Sequence, residues 1–271
     1  MKTINLSNSK AIPILGFGTA GLTDKVCQRS VEAALEVGYR HIDTANYYQN
    51  QYEIAKVIKK SGVKRKDLFI TSKVFYYDLE PEKVKEVCNK CLEELQTDYL
   101  DLFLIHWPNK NIPLRDTLQA FVELLEKGLI KSMGVSNFTM NHLVECLETG
   151  VPVVNNQLEF HPSLNQKELK NYCDEKGISV TAYAPLAQGQ DLKLKVIKDT
   201  AKKHGKTPGQ IIINWLVSKN IITIPRSSDP KRIKENWNSL NFSLTKRERF
   251  QMENLDKGNR IVNPKFAEFD Y

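Results

Sequence analysis

Residues 16–21 read GFGTAG, and two folds compete for them. As G-x-G-x-x-G, the stretch matches the fingerprint by which a Rossmann domain holds a pyrophosphate at a helix N-terminus. The apolar AIPIL precedes it and the helical pattern DKVCQRSVEAALEVG follows. Asp43 stands 22 residues beyond Gly21, where a ribose-binding acid would sit. At the end of a barrel strand, the same glycines would serve close backbone packing instead. The rest of the chain decides between the two.

Apolar, β-branched runs alternate with amphipathic runs from end to end. The strand candidates are ILGFGTA, RHIDTA, LFITSKV, YLDLFLIHW, IKSMGVSN, VVNNQLEF, ISVTAYAP and IITIPRS. Helical patterns begin near Lys25, Gln51, Pro81, Leu114, Met140, Gln166, Leu192 and Pro230. Two helical stretches follow the seventh strand, divided at Thr207-Pro208, and TKRERFQMENL predicts one more before the tail NPKFAEFDY. Eight βα units of about 30 residues, with no linker or composition break, predict one α/β domain over residues 1–271. Its class is a (β/α)8 TIM barrel with extra C-terminal helices. A doubly wound sheet would usually carry six strands and a second domain. The leading TINLSNSKAIPIL, with Ser-Asn-Ser at its centre, predicts an N-terminal β-hairpin across the barrel bottom. On this reading Gly16, Gly18 and Gly21 pack the first strand where it leaves the barrel.

Composition narrows the function classes. The 271 residues are 41% hydrophobic and 26% charged, a globular balance. MKTINLSNSKAIPIL has no secretory apolar region, and the longest apolar stretch, around LDLFLIHW, is far short of a bilayer span. We therefore expect a soluble cytoplasmic protein with no membrane partner. Five cysteines, at 27, 88, 91, 146 and 173, lack a disulfide framework. Cys88 and Cys91 share a helix face, where two small apolar side chains are the plainer reading than a metal or redox pair. The net charge of +7 comes in short runs interleaved with acids, without aromatic-basic alternation. That predicts solvated surface suited to an anionic ligand, and no nucleic-acid partner.

Barrel chemistry belongs at the C-terminal ends of the strands. There the second strand ends at Asp43, with Tyr48 in its loop, the third at Lys73 and the fourth at His106. The fifth ends at Ser136-Asn137, the sixth contains Gln157, the seventh contains Tyr183, and the eighth runs into Arg226-Ser227.

In RHIDTANYYQN, ITSKV, LIHWP, GVSNF, NQLEFHP, AYAPLA and IPRSSDPKRIKEN the chain resembles the aldo-keto reductase superfamily. The motifs follow that family's order from residue 16 to beyond 236. The short loops look most like its small microbial members of the 2,5-diketo-D-gluconate and methylglyoxal reductase type. The resemblance implies a catalytic set of Asp43, Tyr48, Lys73 and His106, with NADPH/NADP+ as cofactor and no metal. Hydride transfer to a carbonyl leaves an alkoxide that needs a proton, and Tyr48 is the implied acid. A phenol of ordinary pKa ~10 is a poor acid at neutral pH, so Lys73, held charged by Asp43, is expected to lower it. His106 is expected to donate to the substrate oxygen.

The family also implies that Ser136, Asn137 and Gln157 hold the nicotinamide carboxamide and that the Tyr183 ring lies on the nicotinamide, with Leu186 beside the cofactor. Arg226, Ser227 and Arg232 stand where the 2′-phosphate binds, and Glu235 and Asn236 where the adenine does. Two arginines are expected to favour NADPH over NADH by about 3–5 kcal/mol before solvent screening. The pocket is expected to be walled by Ala20, Phe75, His106 and Trp107, with the tail from Phe266 to Tyr271 as a further wall. Gln51, Ala184 and Arg226 depart from the family's usual Glu, Ser and Lys. Gln51 is expected only to remove a helix-start charge. Ala20 and Phe75 replace bulkier aromatics, which widens the pocket. The expected activity is NADPH-dependent reduction of aldehydes or ketones by a monomer. The alternative is an NADPH-binding regulatory module with little catalysis.

Overall fold

The computed structural model describes residues 2–271. Strands β1 (Thr3–Asn5) and β2 (Ala11–Pro13) pair antiparallel as the expected hairpin. Then β3 (Phe17–Gly18), β4 (His41–Asp43), β5 (Phe69–Val74), β6 (Leu102–Ile105), β7 (Met133–Ser136), β8 (Val153–Glu159), β9 (Ser179–Tyr183) and β10 (Ile222–Thr223) lie side by side in chain order, all parallel. A parallel bridge between Leu15 and Thr223 joins the two edges. Gly16 N donates to Thr223 O and Thr223 N to Ile14 O, both at 2.9 Å. The sheet is therefore a closed barrel. The Rossmann reading of residues 16–21 fails on this topology, since the first and last strands meet.

Helices α1 (Asp24–Val37), α2 (Gln51–Ser61), α3 (Pro81–Leu95), α4 (Leu114–Glu126), α5 (Met140–Glu148) and α6 (Lys167–Glu175) fill the successive crossovers. Between β9 and β10 come α7 (Lys195–His204) and α8 (Pro208–Ser218), and after β10 come α9 (Pro230–Trp237) and α10 (Lys246–Glu253). Local chemistry sets several of these starts. Thr139, Thr207 and Thr245 each form a reciprocal capping box with the residue three ahead. The break between α7 and α8 falls at Gly205, which is left-handed at φ 60° and ends α7, and at Thr207-Pro208, which opens α8. Each strand from β4 to β8 is buried on both faces, because helices cover the outside and side chains fill the inside.

Leu6 and Ile12 of the hairpin pack on Phe69, Leu102 and Ile222, which begin their strands. The hairpin thus plugs the end of the barrel away from the strand C-termini. The opening glycines are explained by the same closure. A Cβ on Gly18 would lie 2.6 Å from the Ile224 carbonyl oxygen, and one on Gly16 2.4 Å from His41 Nδ1. Gly18→Ala should accordingly lose about 1–3 kcal/mol of stability in urea unfolding, because the obstacle is backbone across the seam. A variant as stable as the parent would show that the seam yields. Cys88 and Cys91 are fully buried on α3, and burial pushes their thiols up to about 12 and about 11. Among the described residues no helix is long and apolar enough to cross a membrane.

Candidate active site

The strand C-termini open into a cleft of about 1280 Å³. Asp43 ends β4 and Lys73 lies on β5, which pairs with β4 in parallel register. Both are buried, and Lys73 Nζ lies 2.5 Å from Asp43 Oδ1. The ammonium also donates to Thr44 O at 2.8 Å and sits 5.1 Å from the centre of the Tyr48 ring. Tyr48 stands in a 3-10 turn, Asn46–Tyr48, and its hydroxyl is 3.5 Å from Nε2 of His106, just beyond β6. The four expected residues therefore converge. Tyr48, His106 and Asp43 face the cleft, while Lys73 sits behind them, fully buried.

The protonation states follow from these surroundings. Asp43 and Tyr48 together outweigh burial and raise the Lys73 pKa, so the ammonium keeps its charge. Tyr48 departs from expectation. Burial raises its pKa above 10, with Lys73 opposing and Asp43 adding to the rise. The cation is close enough to act on the phenol but does not reverse the cost of burying a phenolate. Burial, then Lys73, hold the His106 pKa well below 6.5, so its ring is neutral at neutral pH. His106 Nδ1 is buried without a partner. An orphaned lone pair costs less than an orphaned N–H, which assigns the single proton to Nε2, facing the cleft.

Next to this group lies an amide cluster. Gln157 Nε2 donates to Asp43 Oδ2 at 2.7 Å, an unforeseen link that leaves its Oε1 and one N–H for a ligand. Asn137, left-handed at φ 63°, donates to His106 O at 2.9 Å and Ser136 Oγ at 3.1 Å and accepts from the Tyr183 hydroxyl at 2.6 Å. Only one lone pair of its amide stays open. Asn137, Gln157 and Tyr183 line the cleft. Ser136 does not: it is buried behind Asn137, bonded to Gln157 O at 2.9 Å, so it is a support and not a contact surface.

The far end of the cleft is basic. Arg226, Ser227 and Arg232 line it, with Glu235 and Asn236 beyond and Leu186 opposite. Arg226 Nη1 donates to Ala20 O at 3.2 Å, and the Arg232 side chain, 65% exposed, lies 3.6 Å from Asp229. Water weakens what both arginines add, and that carboxylate what Arg232 adds, so the expected 3–5 kcal/mol of cofactor preference is an upper bound. No group of three or more His, Cys, Asp or Glu that suits a metal occurs among the described residues.

Phe75 lines the cleft beside His106, with Trp107 next to it, whereas Ala20 lines it on the basic side, its carbonyl bonded to Arg226. Tyr47 stacks on Phe75 at 4.0 Å, and Phe266 stacks on Tyr76 at 4.1 Å. Of the tail, Phe266 lines the cleft, whereas Phe269 packs between Trp107 and Arg260 and Tyr271 packs on His142. The wall at Ile261–Pro264 and the Tyr47 ring were missed in the sequence. A loop has no periodicity to mark it, and only the Pro264 turn signal stood there. Gln51 opens α2, the helix start expected, but does more than remove a charge there: it is buried, donating to Glu94 and accepting from Ser72 in a network under β5.

The model for the aldo/keto reductase family matches residues 14–257. The chain is 42% identical over 262 residues to glyoxal reductase of Bacillus subtilis, covering 96% of this chain and 94% of that one. It is 39% identical over 265 residues to methylglyoxal reductase DkgA of Escherichia coli K12, covering 95% and 94%. A crystal structure of an aldo-keto reductase from a deep-sea metagenome superposes with a TM-score of 0.95 at 37% identity, over the full length of both chains.

Proposed function

The chain belongs to the aldo/keto reductase family, and from that premise we propose that it reduces small aldehydes and ketones with NADPH, with Tyr48 as the proton donor. The observation that carries this reading is the meeting of Asp43, Tyr48, Lys73 and His106 at one end of a cleft whose other end is basic. Asn137, Gln157 and Tyr183 would hold the nicotinamide end, and Arg226, Ser227 and Arg232 the 2′-phosphate. The donor set fits: amides with open valences at one end, guanidinium groups at the other. When bound, NADPH supplies the hydride.

The chain's own residues do the rest. A carbonyl oxygen seated near Tyr48 and His106 Nε2 meets two hydrogen-bond donors, which orient it and stabilise its developing negative charge. As the carbonyl carbon accepts the hydride, the oxygen becomes far more basic than a phenolate, and the Tyr48 proton passes to it. The raised Tyr48 pKa keeps that proton in place beforehand. Lys73 then stabilises the phenolate left behind, and Asp43 stabilises Lys73. The glyoxal and methylglyoxal reductases among the relatives make short dicarbonyls the first substrates to try.

Oxidation of NADPH, followed by its absorbance with a panel of carbonyls, tests the reading directly. Turnover with at least one short dicarbonyl is expected. Binding of NADPH without turnover of any carbonyl would mean a regulatory module. Arg232→Ala should raise the Kd for NADPH by about tenfold and leave NADH within about twofold, since only NADPH carries the 2′-phosphate. Equal weakening of both cofactors would place Arg232 elsewhere.

A further inference from the structure

A second buried polar cluster lies beside the cleft, unused by the chemistry above. Glu159 ends β8, and His161 and Ser163 follow it. Asp191 comes from the segment between β9 and α7. Glu159, His161 and Asp191 are each at most 1% exposed. His161 Nε2 lies 2.9 Å from Glu159 Oε1, while its Nδ1 lies 3.1 Å from Ser163 Oγ and 3.2 Å from Asp191 Oδ2. The Ser163 hydroxyl gives its proton to Asp191 Oδ1 at 2.7 Å, which leaves a lone pair for Nδ1. Both ring nitrogens therefore donate, and the ring is an imidazolium between two carboxylates.

The remaining carboxylate valences tie down backbone. Glu159 accepts from Ile261 N at 2.7 Å and Val262 N at 2.8 Å. Asp191 accepts from Ser163 N at 3.0 Å. Lys257 N and Asn259 N both donate to Ser163 O. One arm of the cluster thus ends on residues 261 and 262, in the cleft wall beside the expected carbonyl pocket. The other arm ends on the turn Asp191–Lys193, whose Leu192 lines the cofactor half with Leu186 and Gln188. These walls are far apart in sequence, and neither is a barrel strand.

We propose that His161 is a positioning residue: its imidazolium, clasped by Glu159 and Asp191, fixes the carbonyl-side wall at 261–264 and the cofactor-side wall at 186–192 relative to each other. Two buried carboxylates facing one another without a cation repel, so loss of the ring frees both walls at once. Burial alone would lower the His161 pKa, and Asp191 and Glu159 instead hold it above its ordinary value. The assignment of the two walls to carbonyl and cofactor rests on the function proposed above.

Three variants separate the arms. His161→Gln, which carries no charge to set between the two carboxylates, should raise the KM for the carbonyl and the Kd for NADPH each by about tenfold, with kcat within about threefold. Glu159→Gln should raise the KM by about tenfold and leave the NADPH Kd within about twofold, and Asp191→Asn should do the reverse. Without any ligand, backbone amide exchange at 261–262 and 187–192 should quicken by about tenfold or more in His161→Gln. If His161→Gln does not fold, the isosteric Glu159→Gln and Asp191→Asn carry the test by their opposite patterns. A lower melting temperature with both constants and both exchange rates unmoved, or the same constant shifted by both carboxamide variants, overturns the proposal. If the wild-type protein neither binds NADPH nor reduces a carbonyl, the functional reading fails, and the exchange measurement alone decides the role of His161.

Discussion

Tyr48→Phe is expected to lower kcat/KM for carbonyl reduction by about 10³-fold while the NADPH Kd stays within about threefold. The substitution removes one oxygen, which carries the transferable proton and one of the two donors aimed at the substrate oxygen. The ring stays near the Lys73 ammonium and edge-on to His106 at 5.6 Å. Little else should move. In the parent, the pH profile reads the same group. A general acid fails as pH rises through its pKa, and burial has pushed Tyr48 above its ordinary value. His106 gains a charge only below its depressed pKa. The rate of reduction should therefore be flat between about pH 6 and 9. Unchanged turnover in Tyr48→Phe removes the tyrosine from the acid role. An alkaline fall beginning near neutrality would show that the occupied site lowers its pKa after all.

Lys73→Met should cost both rate and stability. Lys73 is fully buried and 2.5 Å from a buried carboxylate, so removing the cation strands Asp43 with the Gln157 amide as its remaining side-chain donor. Breaking a buried pair from one side costs about 3–5 kcal/mol, to be read in urea unfolding. The rate should fall by about 10²-fold or more, because the phenolate formed on Tyr48 loses its nearest positive charge. The double variant Asp43→Asn with Lys73→Met separates the two effects. It should recover much of the stability, since no charge is left unpaired, and none of the rate. Recovery of rate in the double variant would mean that Lys73 serves only to neutralise Asp43.

The barrel was legible because parallel strands buried on both faces write themselves as apolar runs, and β5 and β8 are buried at every position. Asp43, Lys73 and His106 were legible because each stands within a residue of a strand end, and Tyr48, five residues beyond β4, because RHIDTANYYQN resembles the family motif. The opening hexapeptide misleads on its own: its glycines answer to Ile224 and His41 across a seam that no short window can contain. The sense of the Tyr48 shift was misread because sequence gives the partner charge but not the depth of burial that competes with it. The Gln157–Asp43 bond and the clasp on His161 went unseen for a related reason. Each joins residues from separate βα units, and NQLEFHP carries no sign that its Glu would bind backbone about a hundred residues later.

The hairpin offers a practical handle. Its turn, Ser7–Lys10, is exposed and caps the blind end of the barrel, whereas the tail bearing Phe266 borders the open mouth. A tether or fluorophore grafted onto that turn would hang from the floor of the molecule and leave traffic through its entrance unobstructed. The same graft near Phe266 would stand in the doorway.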